Sequence, residues 1–154
     1  MIESLQTFAD QFPEWSQALV IAVLAAIPFV ESYFGAVLGV IVGLPPVVAI
    51  VAAVVGNVVS MIGFVYGADN IRQRKVDPDQ EPSARQLKVR RAFDRWGVPG
   101  VSLLGQTMLP SQITSAAMVG FGASRKLVVV WQVVSIIAWG TVFGLFGLGI
   151  LQLS

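Results

Sequence analysis

Ile27-Pro28-Phe29-Val30-Glu31-Ser32-Tyr33-Phe34-Gly35 is the stretch on which the reading of this chain turns. Glu31 is the only acidic or basic residue between Trp15 and Ala68, a block of 54 residues. A carboxylate in so apolar a setting is costly unless it is neutral, paired or beside water. Pro28 removes an amide donor and tends to break a helix. The one acid of a long apolar block therefore stands where helix is expected to be interrupted. That combination points to a transport site more than to an element of the fold.

The rest of the chain agrees with a lipid environment. Hydrophobic residues make up 55% of the sequence and charged residues 12%, where a soluble domain is about a quarter charged. The expectation is an all-α integral membrane protein. Cysteine and histidine are both missing, which excludes disulfides, thiol catalysis and the common zinc patterns. No Ser-His-Asp set, phosphate-binding glycine loop or carboxylate pair is apparent, so neither an enzyme nor a cofactor is expected. Residues 1–16 contain no Lys or Arg, so the basic start of a secretory signal is missing. Leu5, Phe8, Phe12 and Trp15 recur at helical spacing with polar residues between them, which predicts an interfacial helix over 1–16.

Three blocks, 15–68, 97–124 and 127–154, hold no charged residue except Glu31. The segment 68–96 carries eight of the ten Lys and Arg residues, and Arg125 and Lys126 are the other two. Pro46–Gly67 and Leu127–Leu151 each read as a spanning helix, since about 20 apolar residues cross the hydrocarbon. Residues 17–44 are broken at Pro28 and Glu31, and residues 97–122 at Pro110. Each broken stretch reads as one kinked spanning helix or as a re-entrant hairpin of two half-helices. If both are re-entrant, every Lys and Arg is cytoplasmic, which satisfies the inside-positive bias and places both termini outside. That arrangement is favoured over four simple crossings. Loosened backbone at membrane depth must be shielded by protein or water, so the two tips are expected to meet.

The two halves also match in order. Pro28 precedes Pro45-Pro46 by 17–18 residues, and Pro110 precedes Arg125-Lys126 by 15–16. Each half reads as half-helix, proline-polar tip, half-helix and spanning helix. Residues 17–67 then form the first repeat, 68–96 a cytoplasmic basic segment, and 97–151 the second repeat, all within one membrane domain. Interrupted helices at corresponding places of two inverted halves point to a transporter site.

The runs IPFVESYFGAVLGVIVGLPP at 27–46, VVGN at 54–57 and FDRWGVPGVSLLGQTMLPSQITSAAMVGFGASRK at 93–126 resemble the small multidrug export protein family. That family looks like a small relative of the DedA/VTT membrane superfamily, and the resemblance covers roughly residues 20–150. It implies two re-entrant hairpins packed tip to tip, each followed by spanning helix, and an acid at the first tip where Glu31 stands. Some DedA relatives are linked to flipping lipid carriers such as undecaprenyl phosphate. In that superfamily the second tip carries arginines in a pattern like R-F-x-P-x-x-R. Here Thr107 and Ile113 stand at those positions, and neither is basic. The departure argues against a phosphate cradle.

The expected proton or substrate site is Glu31, Asn57, Gln112, Thr114 and Ser115, with Pro28 and Pro110 as the helix-breaking tips. Burial disfavours the charged form of a carboxyl, so a group such as Glu31 can load and release a proton. Its bland alternative is a hydrogen-bonded structural acid. The tip 111–115 offers an amide and hydroxyls, or simply caps its half-helix. Asn57 lies at mid-depth in its helix. Gln132 and Ser135 read as links between helices, and Gln106 as a weaker site candidate. Gly35, Gly39 and Gly43, and Gly140 and Gly144, form small-residue stripes that serve close packing within the fold or a homodimer face. From Ser83 a basic amphipathic helix is expected, with Val89, Ala92, Phe93 and Trp96 on one face, suited to anionic lipid. Its basic residues are accompanied by Asp77, Asp79, Glu81 and Asp94, so no nucleic acid is expected. The reading is a proton-coupled transporter of the bacterial inner membrane, moving an amphiphilic or cationic small molecule. A lipid or polyprenyl-phosphate flippase and a non-transporting scaffold are the alternatives.

Overall fold

The computed structural model describes residues 11–72, 84–106 and 109–153, and the side chains at 11–67, 84, 87–106 and 109–153. Regular structure among them is helical throughout: α1 (Glu14–Ala25), α2 (Glu31–Val42), α3 (Pro46–Arg72), α4 (Ala84–Gly105), α5 (Ser111–Gly120) and α6 (Arg125–Leu153). Two of these are long and apolar enough to cross a membrane, Pro46–Gly67 and Arg125–Leu153. The first half runs short helix, break, short helix, long helix, whereas the second opens on the 22-residue α4, which is non-helical at Gly97. Residues 1–10 of the expected interfacial helix lie outside the described residues, as do 73–83 of the basic segment. Residues 14–16, expected to end the interfacial helix, instead open α1 directly after Pro13.

The chain divides into two compact units, Met1–Val59 with Ile136–Ser154, and Ser60–Ser135. In the first unit the break after α1 covers residues 26–30 and contains Pro28. A Cβ added at Gly35 would lie 2.8 Å from that of Ala25, and one at Gly39 would lie 3.5 Å from Ile21 Cγ1. Both pairs are centred on residue 30. Two helices that touch in this register are antiparallel, so α1 and α2 form a hairpin and not one kinked helix.

Gly43 then ends α2 at φ 108, a left-handed conformation that costs glycine nothing. Its N–H bonds to the Val40 carbonyl, and the Leu44 N–H bonds to that of Gly39, as in the usual glycine stop of a helix. Pro46 opens α3, where a missing N–H does no harm. Gly35 and Gly39 pack on Ala53 and Ala49, so α3 runs antiparallel to α2. The last part of α6 completes the unit. Gly140 meets Ser32 and Val54, and Gly144 meets Ala36 and Ile50, so α6 runs parallel to α2 and antiparallel to α3. Ile21, Ala25, Ala36, Val40, Leu44, Ala49 and Ala53 make the core, with Leu148 and Leu151 against it. Gly35, Gly39, Gly140 and Gly144 are thus spent within this unit. Gly43 serves as a cap.

In the second unit α4 is interrupted at Gly97, whose φ of 63 and ψ of −171 lie outside helix. That conformation is open essentially to glycine alone, and Pro99 two residues on lacks an amide donor. This break was not expected from the sequence, although Gly97-Val98-Pro99-Gly100 carries both strong punctuators. Gly105 lies against Thr114 beside the second tip. At the far end the Phe93 and Phe121 rings are 6.1 Å apart, and the Arg90 guanidinium lies 5.4 Å from the Phe121 ring. So α4 and α5 are also antiparallel, a second hairpin. Val89 is buried and Phe93 half-buried, but Trp96 is 55% exposed and carries Arg95 over its ring. The expected single face therefore splits at Trp96, the residue before the Gly97 break.

Burial runs against the soluble pattern. The buried polar set includes Glu31, Asn57, Gln112 and Gln132, while Val47, Val51, Val55 and Val59 form an exposed stripe along α3. On α6 Val142, Leu145 and Phe146 are each more than half exposed.

Candidate functional site

The first tip reverses the chain within five residues, and its backbone is strained to do so. Phe29 and Glu31 have φ of 78 and 58 and are the only non-glycine residues with positive φ among those described. Such a conformation costs roughly 1–2 kcal/mol per residue for an L-amino acid. The Val30 and Glu31 amides both turn back to the Ile27 carbonyl. The result places Glu31 as the first residue of α2, directed into the unit.

Glu31 is fully buried, and it is the only acidic or basic side chain buried among the described residues. The Asn57 amide nitrogen of α3 donates to Glu31 Oε2 at 3.2 Å. Asn57 is itself fully buried. The neighbouring residue explains how α1 closes over this point. A Cβ at Gly56 would collide with the Ala22 carbonyl oxygen, so only glycine permits the approach of α1 to α3. Next to Glu31, the Ser32 hydroxyl donates to the Ile136 carbonyl at 2.9 Å and ties α2 to α6. Three helices are thus fastened around the carboxyl. An amide N–H can donate to a carboxylate or to the carbonyl oxygen of a neutral carboxyl. Asn57 can therefore hold Glu31 in either protonation state, without the bias toward the carboxylate that a Lys or Arg in its place would impose.

The second unit handles its polar groups differently. Pro110 precedes α5 without any side-chain cap, so the capping alternative for the Ser and Thr residues is not the one observed. Thr114 Oγ1 instead donates to the Pro110 carbonyl at 3.0 Å, and the Ser115 hydroxyl donates to the Ser111 carbonyl. Gln112 is fully buried and its amide nitrogen stands 3.5 Å from Ser60 Oγ on α3, the outer limit of a hydrogen bond. The sequence candidates are therefore gathered in two places, Glu31 with Asn57 in one unit and Gln112, Thr114 and Ser115 in the other. The meeting of the two tips stays an expectation from sequence.

Ser32, Gly56 and Ser102 were missed by sequence reasoning. Ser32 adjoins Glu31, and Gly56 stands in the quoted VVGN, so a signal was present for both. Ser102 Oγ and both amide atoms of Gln106 and of Gln132 are buried without a protein partner among the described residues. Among the described residues no group of three or more His, Cys, Asp or Glu side chains gathers as a metal site would need. Compared with known protein families, with curated proteins and with solved structures, the chain matches none of them. Among the described residues, fold and site define an all-helical protein with two helices long and apolar enough to span a membrane and one buried carboxyl at a hairpin turn.

Proposed function

We propose that the protein is a small multi-pass membrane transporter that couples proton movement, through Glu31, to movement of an amphiphilic or cationic small molecule. The observation that carries this reading is the fully buried Glu31 carboxyl held by the neutral Asn57 amide. An ionisable group kept inside an apolar bundle is expensive, and such groups mark ion and substrate pathways. The resemblance to the small multidrug export family and the outward-facing valine and phenylalanine side chains support the same reading. The re-entrant placement of both hairpins belongs to it, because a hairpin turn inside the bilayer shields its loosened backbone in protein.

The cycle needs only one proton exchange at the carboxyl, on Oε1, because Oε2 accepts the Asn57 N–H. With the proton released to water, the carboxylate attracts a cation. With the proton bound, the attraction ends and the cation leaves. Asn57 stays hydrogen-bonded throughout and keeps the carboxyl aimed. The test is reconstitution of the full chain in vesicles with a pH gradient, following uptake of tetraphenylphosphonium and of ethidium. Uptake should require the gradient and should be lost in Glu31→Gln, with folding retained. Uptake by Glu31→Gln equal to that of the parent protein would reject the proton role. Gradient-independent exchange of a fluorescent phospholipid between leaflets, with no cation uptake, would favour the flippase reading instead.

A further inference from the structure

The second unit carries a set of polar side chains that the Glu31 site does not use. Ser102 and Gln106 are four residues apart at the end of α4, on one side of that helix. Gln132 and Ser135 are three residues apart on α6 and share a face by the same periodicity. The two sides meet, because the Ser135 hydroxyl donates to the Ser102 carbonyl at 2.6 Å. Ser102, Gln132 and Ser135 are fully buried and Gln106 is 4% exposed. Yet the Ser102 hydroxyl and both side-chain amides have no protein partner among the described residues.

Buried amides are rarely left in this state, since each unmade hydrogen bond costs the desolvation of its donor or acceptor. Two glutamines and a serine on facing sides could have been replaced by leucine and alanine with no loss of packing. We propose that the α4 and α6 faces of the second unit enclose a hydrated seam, in which water bonds to Ser102, Gln106 and Gln132. The ligand class follows from the lining. Each amide offers two donors and an acceptor, and each hydroxyl offers both roles. No charged side chain belongs to this set. The lining offers both donors and acceptors and no formal charge, which suits a small neutral ligand that donates and accepts at once, water. The proposal does not rest on the reading of Glu31.

The chain has no native cysteine, so single cysteines report cleanly. A thiol reacts with methanethiosulfonate ethylammonium only as the thiolate, which forms where water reaches it. Ser102→Cys, Gln106→Cys and Gln132→Cys are made in the full chain in detergent. Val128→Cys is the dry reference, buried on α6 at 0% exposure, and the exposed Ser124→Cys is the wet one. The seam positions should react at least about tenfold faster than Val128→Cys, reflecting the larger thiolate fraction in water. Rates equal to that of Val128→Cys would overturn the proposal. A stability measurement covers the case of a cysteine variant that does not fold. In a dry seam, Gln132→Leu removes an orphaned amide and raises the melting temperature. In a hydrated seam the melting temperature stays or falls. A rise in Gln132→Leu overturns the proposal, and its absence supports it.

Discussion

The two hairpins are built alike and provisioned differently. In α1 and α2 the turn presents a carboxyl, and an asparagine from α3 meets it at 3.2 Å. In α4 and α5 the turn presents hydroxyls that bond back to carbonyls of their own tip and helix. Backbone strain follows the same division. Among the described residues, both non-glycine residues with positive φ, Phe29 and Glu31, lie in the first turn. The second hairpin takes up its irregular backbone at Gly97, where it costs little. Strain of about 1–3 kcal/mol per residue persists where the surroundings over-determine it, and such places cluster at functional sites. The comparison puts a buried carboxyl and strained backbone together in the first hairpin, and neutral hydroxyls bonded to their own carbonyls in the second.

The largest expected effect tests the packing behind that difference. In Gly56→Ala the new methyl would collide with the Ala22 backbone, so α1 must move off α3. The loss should reach the top of the ~1–3 kcal/mol range for overpacking, or exceed it. Gly63→Ala, two turns later on α3, meets nothing within 4 Å. It should be neutral or gain up to about 1 kcal/mol in helix propensity. Equal effects in thermal unfolding would break the comparison.

Asn57→Ala comes next. Removing the amide from a buried carboxylate should cost about 1.5–3 kcal/mol, the worth of a hydrogen bond to a charged group. In a Glu31→Gln background the same change should cost less, and a double-mutant cycle reads the difference. A coupling near zero would mean that the contact carries no energy.

Phe29→Gly tests the strained turn. Phe29 is 60% exposed, so little packing is lost, and relief of the left-handed conformation should stabilise by about 1 kcal/mol. Phe29→Ala keeps the strain and should show no such gain. Ser115→Ala should be smallest, within ~0.5 kcal/mol. A bond to the carbonyl four residues back adds little, and alanine is the better helix former.

Much of this was legible in the sequence, for reasons tied to particular residues. Pro28 and Pro110 announce the two breaks because proline cannot continue a helix, and Pro46 and Gly67 bound the long α3 segment through unbroken apolar composition. Glu31 stands out because no other charge surrounds it. The Asn57 contact was suggested by depth alone, and its 3.2 Å length needed the hairpin register to appear. The positive φ of Phe29 and Glu31 was not legible, since neither residue type advertises it. Gln132 read as an ordinary link between helices. Its unpartnered state depends on what α4 places opposite, and that position was obscured by the unrecognised break at Gly97.

The central claim is that Glu31 is a buried acid that exchanges its proton with water. Infrared difference spectroscopy of the full chain in lipid vesicles, stepped in pH, reads this directly from the carboxyl C=O stretch. The account predicts a band that appears and disappears reversibly with pH in the parent protein and is missing from Glu31→Gln. Identical difference spectra for the two proteins, at every pH where both stay folded, would contradict it.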